Sequence, residues 1–250
     1  MDWSVADIRP VFFYTNRMTK TEIAKIIDHT NLNACATEVD IATLCAEAKK
    51  YGFASVCVNP SYVNYAYNLL SDSGVKVCTV IGFPLGADTI DNKAASAAVA
   101  VDEGADEIDM VVNLGYVKSK NWDDLYEEIY AVVCAAGEVV TENRPKPIVK
   151  VILETCYLSD DEIVKCCQVA QEAGADFVKT STGFAILKDS DGKLLANGAT
   201  VHAVELMKKT VGSNMRVKAS GGIRTFDDAV KMVQAGAERI GTSNGVGIVE

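Results

Sequence analysis

The chain has 250 residues with 34 acidic and 24 basic side chains, a formal net charge of −10, and is long enough to bury a large core. This acidic balance argues against nucleic-acid binding, because nucleic-acid-binding proteins usually present a basic patch or stripe. No apolar run reaches the roughly 18–20 residues of a membrane span, and the first residues do not form a secretory signal.

Short β-rich runs alternate with helical segments along the whole chain. The predicted strands lie around 26–29, 53–58, 76–81, 105–111, 148–153, 175–180, 216–220 and 237–242. The predicted helices span 37–51, 61–70, 88–103, 122–140, 159–173, 198–211 and 225–235, with a short eighth helix after 243. Thr37, Asp88, Ser159 and Thr225 are the predicted N-caps.

Four of these strands follow a glycine that ends an alanine-rich or amphipathic segment: Gly52, Gly104, Gly174 and Gly236. Glycine in this position stops a helix and starts a tight loop into a buried strand. Eight strand–helix units in this length predict a single (β/α)8 TIM barrel domain over residues 1–250, with the first 18 or so residues as an extra N-terminal segment packed outside. The alternative, an open doubly wound sheet, would carry G-x-G-x-x-G after its first strand, and that motif is absent there.

The chain has eight cysteines and two histidines. No C-x-x-C occurs, so we interpret the cysteines as small buried hydrophobes of a reducing compartment, the cytoplasm. Cys57 ends a strand near the predicted site, where it is either a reactive thiol or a core residue. His29 and His202 show no metal-ligand spacing, and we therefore expect no metal.

Single charged residues interrupt five of the predicted strands: Asp28, Asp109, Lys150, Lys179 and Lys218. Barrel strands are buried on both faces, so these charges are unexpected in them. One such lysine alone could be a barrel-end residue whose amine reaches water. Several together indicate a site near the C-terminal ends of the strands, where barrel enzymes bind their substrates.

Lys179 and Lys218 lie on neighbouring strands, which run ~4.8 Å apart, so their amines are expected within ~5–6 Å of each other. At an effective dielectric near 20 their repulsion is ~3 kcal/mol, which would lower the pKa of one of them to about 8. A neutral amine adds to carbonyls and forms a Schiff base. Asp109 would then move a proton through water.

Glycine-rich turns follow the last two predicted strands, at 219–224 and 241–245. Barrels often bind phosphate at this place, through backbone N–H groups and a helix N-terminus. A reactive lysine beside a phosphate pocket predicts that carbon–carbon bonds are made or broken in a phosphorylated carbonyl compound.

The chain resembles the deoxyribose-phosphate aldolase family, most specifically in V-K-T-S-T-G-F at 178–184 and V-K-A-S-G-G-I-R at 217–224. The other shared motifs are I-D-H-T-N-L (27–32), V-C-V-N-P (56–60), I-G-F-P-L-G (81–86), D-E-I-D-M-V (106–111), K-V-I-L-E-T (150–155) and R-I-G-T-S (239–243). The resemblance implies a class I aldolase that reversibly cleaves 2-deoxy-D-ribose 5-phosphate to acetaldehyde and D-glyceraldehyde 3-phosphate in deoxyribonucleotide catabolism. It implies no cofactor or metal, and we expect a homo-oligomer, a dimer or a tetramer.

The resemblance also implies a role for each motif residue. Lys179 would form the Schiff base, Lys218 would lower its pKa and Asp109 would transfer protons. Asp28 and Thr182 would organise the substrate. The residues implied to surround the phosphate are Gly183, Gly221, Gly222, Gly241, Ser243 and Asn244.

The chain departs from the family pattern in three places, one of which is the C-terminal Ile248-Val249-Glu250, which lacks the tyrosine that some members direct into the site. Phe184 stands where some branches carry a phosphate-site lysine, and Arg224 is the nearest replacement. The connection 185–197 is longer than usual, and Asp191-Gly192 predicts a tight turn in it, in a lid or an oligomer contact. Two other functions stay open: another lysine-dependent enzyme such as a transaldolase, and a non-catalytic phosphosugar-binding barrel.

Overall fold

Eight parallel strands close into a barrel in sequence order in the computed structural model, which describes residues 18–139, 145–195 and 197–250. The strands are β1 (Ile27–Asn31), β2 (Ser55–Val58), β3 (Lys76–Ile81), β4 (Glu107–Val111), β5 (Ile148–Ile152), β6 (Phe177–Lys179), β7 (Arg216–Ser220) and β8 (Arg239–Thr242). Pairing of Ile240 with Ile27 closes the ring of strands. The predicted TIM barrel is therefore confirmed and the open sheet excluded, whereas the predicted N-terminal segment lies, up to residue 17, outside the described residues.

Helices cover the outside of the barrel. They are α1 (Lys20–Ala24), α2 (Glu38–Tyr51), α3 (Val63–Leu70), α4 (Ile90–Asp102), α5 (Leu114–Lys118), α6 (Trp122–Glu138), α7 (Asp160–Glu172), α8 (Val201–Val211), α9 (Phe226–Gln234) and α10 (Gly245–Val249). The sequence did not predict α1 and α5, because five residues are too short to show helical periodicity. None of the described helices is long and apolar enough to cross a membrane.

Three of the four predicted N-caps are confirmed. The hydroxyls of Thr37, Ser159 and Thr225 each accept a hydrogen bond from the third helical N–H, and each forms a complete capping box. Asp88 is wrong as a cap, because the hydroxyl of the next residue, Thr89, caps α4 instead. Asp88 accepts from the Thr89 N–H at 2.8 Å, so two adjacent cap-forming residues share the start of this helix.

The two faces of β4 carry different residue types. In β4, Ile108 and Met110 are fully buried in the apolar core, whereas Glu107 and Asp109 alternate with them and are also buried. Because side chains of a strand alternate between faces, the acidic pair points into the barrel and the apolar pair toward the helices. In β4 the charged side chains therefore lie inside the barrel, and the apolar packing against the helices lies outside it.

A buried ion pair outside the barrel holds two of the loops that border the site. Lys93 of α4 pairs with Glu128 of α6, and both side chains are completely buried. Lys93 also donates to the carbonyl oxygens of Gly86 at 2.6 Å and Val111 at 2.8 Å. Glu128 accepts from the Asn113 N–H at 2.9 Å, so the pair fixes the segments after β3 and β4.

The helix layer supplies much of the stability. Leu125 of α6 is fully buried, and we predict that Leu125→Ala lowers the free energy of unfolding by about 2–5 kcal/mol through lost burial and a cavity. Val39 is 75% exposed on α2, so Val39→Ala is the matched control and should change it by less than about 0.5 kcal/mol. Urea denaturation measures both variants, and equal losses would contradict this description of the core.

Candidate active site

The strand register brings the charged residues of the barrel interior to one place. Asp109 of β4 is the register partner of Lys150 of β5. Lys179 of β6 is the register partner of Lys218 of β7. Partners in adjacent parallel strands point to the same face, so all four side chains enter the barrel.

The carboxylate of Asp109 is the common partner of three lysines. Its Oδ1 accepts from Lys150 at 2.8 Å, and its Oδ2 accepts from Lys179 at 2.8 Å and from Lys218 at 2.7 Å. The amines of Lys179 and Lys218 are therefore no more than about 5.5 Å apart, the sum of their distances to the shared oxygen. This confirms the predicted proximity, but a carboxylate lies between the two amines, which the sequence did not predict.

Five buried side chains and the half-buried Arg239 form a closed ring of alternating charge, which we call the charge ring. Its members, in order of contact, are Asp28, Lys218, Asp109, Lys150, Glu107 and Arg239. Each carboxylate uses one oxygen for each neighbour, and Arg239 returns to Asp28 at 2.7 Å to close the ring. Lys179 is attached to the ring at Asp109 and adds one positive charge to it.

The ring keeps its members ionised. Burial acts to raise the pKa of Asp109, but Lys150, Lys179 and Lys218 outweigh it and hold that pKa well below its usual range. Burial also acts to raise the pKa of Asp28, but the positive charges of Lys218 and Arg239 outweigh it and lower that pKa. Burial acts to lower the pKa of Lys218, yet Asp109 and Asp28 raise it above its usual value.

A cavity of about 350 Å³ lies above the charge ring. Its lining residues are Thr30, Asn31, Leu32, Asn33, Lys179, Thr182, Gly183, Phe184, Asn197, Ser220, Gly221, Gly222, Ile223, Arg224, Gly241, Thr242 and Ser243. Within the described part of the chain, Lys179 is the one barrel-interior charge that lines this cavity, whereas Lys218 and Asp109 are buried beneath it. The cluster therefore presents a single amine to a bound molecule.

The structure separates the predicted substrate residues. Thr182 lines the cavity, but Asp28 lies below it and bonds to the Ser55 hydroxyl at 2.6 Å and to Arg239. Among the predicted phosphate residues, the four glycines and Ser243 line the cavity. Asn244 is not among the lining residues; it is the N-cap residue before α10, and its side-chain amide donates to the Arg224 carbonyl at 2.8 Å.

One end of the cavity is made of backbone. Gly221 and Gly222 have φ values of +87° and +80°, which other residues adopt only with strain. A Cβ on Gly198 would lie 2.2 Å from the Gly221 carbonyl oxygen, so there is no room for a side chain at position 198, where the chain packs against this turn. Arg224 lines the same end with an exposed side chain. Such a turn suits an anion, because N–H groups and a guanidinium can approach it closely.

Glu154 is a site residue that the sequence reasoning missed. It follows β5 with φ of 54°, and its buried carboxylate accepts from the Thr182 N–H at 3.2 Å and from the Thr182 hydroxyl. Burial raises the pKa of this carboxyl, although Thr182 and Lys179 act to lower it. Thr182 in turn accepts from the Phe184 N–H at 3.0 Å, so Glu154 orients the loop that follows Lys179. The sequence feature that could have identified Glu154 is the position of an acidic residue directly after the apolar β5 run.

The long connection 185–197 is a small exposed hairpin, described except for residue 196. Lys188 and Leu194 form an antiparallel bridge, and the Gly192 N–H donates to the Asp189 carbonyl at 3.0 Å. This confirms the predicted tight turn. Before the hairpin, Phe184 packs edge-on against Phe83 with ring centroids 5.2 Å apart.

Three side chains in the described residues could in principle hold a metal ion: Cys57, Cys78 and Asp109, whose ligand atoms lie within 4.8 Å of one another. The Cys78 thiol donates to Asp109 at 3.2 Å, and three lysine amines already occupy the carboxylate. A cation at this place would be repelled by those ammonium groups. Cys57 is fully buried beside Leu32, in agreement with a core position.

Comparison with known proteins gives consistent matches over the barrel. The family model described as DeoC/LacD family aldolase matches residues 22–249. A deoxyribose-phosphate aldolase of Carboxydothermus hydrogenoformans is 54% identical over 93% of this chain and 96% of that protein. The crystal structure of a putative deoxyribose-phosphate aldolase from Coccidioides immitis has a TM-score of 0.84 and 46% identity, covering 93% of this chain and 85% of that one. A tetrameric deoxyribose phosphate aldolase from Aeropyrum pernix has a TM-score of 0.80 and 36% identity, covering 92% and 91%.

The low pKa of Asp28 predicts a defined pH dependence of stability. A carboxyl whose pKa is lowered by folding stabilises the protein above its unfolded pKa of about 3.9 and loses this contribution as the pH falls further. Asp28→Asn should therefore cost about 3–5 kcal/mol near neutral pH, because it leaves buried charges unpaired. The difference from the unmodified protein should shrink below about pH 4.

Denaturant unfolding at several pH values between about 3 and 7 measures this difference. The exposed Asp72→Asn is the control and should change little at any of them. A difference that widens as the pH falls would contradict the ion-pair role of Asp28.

Proposed function

Because the chain belongs to the DeoC/LacD family of aldolases, we propose that it is a class I deoxyribose-phosphate aldolase. The proposed reaction is the reversible cleavage of 2-deoxy-D-ribose 5-phosphate to acetaldehyde and D-glyceraldehyde 3-phosphate. The observation that carries this proposal is the position of Lys179, whose amine faces the cavity while its lysine neighbours are buried below. An amine at that position is placed to form a Schiff base with a bound aldehyde.

The charge balance of the cluster supports Lys179 as the nucleophile. With Lys179 the charge ring contains four cations and three carboxylates. One positive charge is in excess, and release of one proton makes the cluster neutral. Lys179 makes one ion pair and faces the cavity, whereas Lys150 and Lys218 each bridge two carboxylates. Lys179 is therefore the cation of the cluster with the fewest carboxylate partners and the one that a bound carbonyl compound can reach.

In the proposed reaction the Lys179 amine adds to the C1 aldehyde of the open-chain sugar, and loss of water leaves an iminium. The C3 hydroxyl gives up its proton, the bond between C2 and C3 breaks, and its electron pair moves into the iminium to form an enamine. D-Glyceraldehyde 3-phosphate leaves, the enamine gains a proton at C2, and hydrolysis releases acetaldehyde. The iminium is the electron sink, so this route needs no metal or cofactor.

Two carboxylates near Lys179 have separate proposed tasks. Asp109 contacts the Lys179 amine at 2.8 Å and relays protons through a bound water, and its lowered pKa keeps it ionised as the acceptor. Glu154 keeps Thr182 against the substrate side of the cavity through its two contacts with that residue. Asp28 acts one step further away, by holding Lys218 through an ion pair.

We assign the phosphate to the backbone end of the cavity. Gly183, Gly221, Gly222 and Gly241 leave the main chain open there, and Ser243 offers a hydroxyl. Arg224 supplies the positive charge that other branches of the family obtain from a lysine at the Phe184 position. A phosphate held at this end would direct C1 toward Lys179.

The setting of the protein is also a proposal. All eight cysteines are free thiols, which supports a reducing compartment, the cytoplasm. The Aeropyrum pernix relative is described as a tetramer, which supports a homo-oligomer for this chain too. We further propose one catalytic domain over residues 1–250, since the described residues form a single barrel.

Chemical trapping tests the proposed function. Borohydride added with 2-deoxyribose 5-phosphate should reduce the acetaldehyde iminium and leave an N-ethyl group on Lys179, which peptide mass spectrometry would locate. Lys179→Met should give no adduct. Folded protein without an adduct on Lys179 would overturn the proposal. Trapping with dihydroxyacetone phosphate but not acetaldehyde would indicate a different aldolase or a transaldolase, and phosphosugar binding without turnover would indicate a binding protein.

The charge on Lys218 generates a second prediction. Lys218→Leu removes one of the two cations on Asp109 Oδ2, so the cluster loses its excess positive charge. The acid limb of the pH profile of kcat/KM should therefore move to higher pH, and turnover should fall. An unchanged acid limb in a folded, active variant would refute the coupling between the two lysines.

A further inference from the structure

The charge ring extends from the Lys179 amine, below the cavity, to the opposite end of the barrel, where Arg239 closes it. Arg239 is the first residue of β8 and Glu107 the first residue of β4, so both lie at the amino ends of their strands. The cavity lies at the carboxyl ends, beyond Lys179. In barrels the amino end is usually a stability face, separate from the chemistry.

The Arg239 guanidinium bridges two carboxylates that belong to different strands. Its Nε contacts Asp28 Oδ1 at 2.7 Å, and its Nη2 contacts Glu107. The arginine side chain is 12% exposed, whereas both acids are buried. Without Arg239, Glu107 would keep Lys150 as its one ion-pair partner and Asp28 would keep Lys218.

Few charged groups surround Arg239 at one end of the barrel and Lys179 at the other. In the described structure the groups that face Arg239 are Asp28 from β1 and Glu107 from β4, with Lys218 as its register partner on β7. The groups that face Lys179 are Asp109 from β4, Lys218 from β7, Glu154 after β5 and the Cys57 thiol from β2. Arg239 therefore acts on Lys179 through the intervening ring and not by contact.

We propose that Arg239 and Glu107 are positioning residues that set, through the charge of the closed ring, the pH at which the Lys179 amine becomes reactive. This inference rests on the proposed function of Lys179 as the Schiff-base residue. Arg239 contributes one of the four positive charges and Glu107 one of the three negative charges of the cluster. Loss of either one changes the net charge of the cluster to which the Lys179 amine is paired.

The size of the effect follows from the distance across the barrel interior. A unit charge roughly 10 Å away, at an effective dielectric near 20, changes a proton affinity by about one pH unit. The sign depends on which charge is lost. A lost cation strengthens proton binding at Lys179, and a lost carboxylate weakens it.

Three variants test the proposal through the pH profile of kcat/KM on 2-deoxyribose 5-phosphate. Arg239→Gln should move the acid limb up by about one pH unit, and Glu107→Gln should move it down by about the same amount. The double variant removes one charge of each sign, so its acid limb should return close to that of the unmodified enzyme. Structural damage alone would lower kcat in all three variants and leave the limb in place.

Two controls separate charge from geometry. Arg239→Lys keeps the charge but loses the two-pronged contact, so it should lower kcat with the acid limb unmoved. Arg216→Gln removes an arginine that stacks on Phe177 and lies outside the ring, and its profile should match that of the unmodified enzyme.

Shifts of the same sign, or no shift, in folded Arg239→Gln and Glu107→Gln would overturn the inference. If one of the two variants does not fold, the other tests the inference alone, and a shift opposite to its predicted direction would overturn it. Absence of the Lys179 adduct in the unmodified enzyme would instead overturn the proposed function, so the two failures are distinguishable.

Discussion

The shared oxygen of Asp109 is the contact on which the rest of the site depends. Two ammonium groups approach this one atom, at 2.8 Å from Lys179 and 2.7 Å from Lys218. Burying any of these charges alone would cost several kcal/mol, and the closed ring compensates because every member has an opposite charge on each side. The ring is neutral by itself, so the added Lys179 carries the one charge that the barrel does not balance. Reactivity and stability thus come from the same set of ion pairs.

Closure of the barrel is what makes such a ring possible. Its members come from β1, β4, β5, β7 and β8, and only a closed sheet brings the first and last strands together. Register matters equally, since a slip of one residue would turn Lys150 or Lys218 from the interior toward the helices. The apolar layer between strands and helices fixes that register. The helices therefore affect the site indirectly, because their packing fixes the register that pairs the interior charges with one another.

Much of the site could be predicted from single residues, and much of it could not. Lys179 and Lys218 were identifiable because each interrupts an apolar strand, and the glycine turns because they follow the last two strands. Arg239 and Glu107 stand at strand ends, where charged residues are common, so nothing local marked them as partners. The two residues meet across the barrel interior, so their pairing depends on barrel closure and on the strand register. For the same reason the sequence did not reveal that Asp109 lies between the two amines. Asn244 is not a lining residue because its side-chain amide is turned to the Arg224 carbonyl, a contact that the local sequence does not show.

The most direct test of this account is a crystal structure of the protein reduced with borohydride in the presence of 2-deoxyribose 5-phosphate. We predict electron density that continues from Lys179 Nζ into the cavity, with Lys218 still on Asp109 Oδ2 and Arg239 still bridging Asp28 and Glu107. Density joined to Lys218 instead, or a ring opened at Arg239 in the trapped enzyme, would contradict the account.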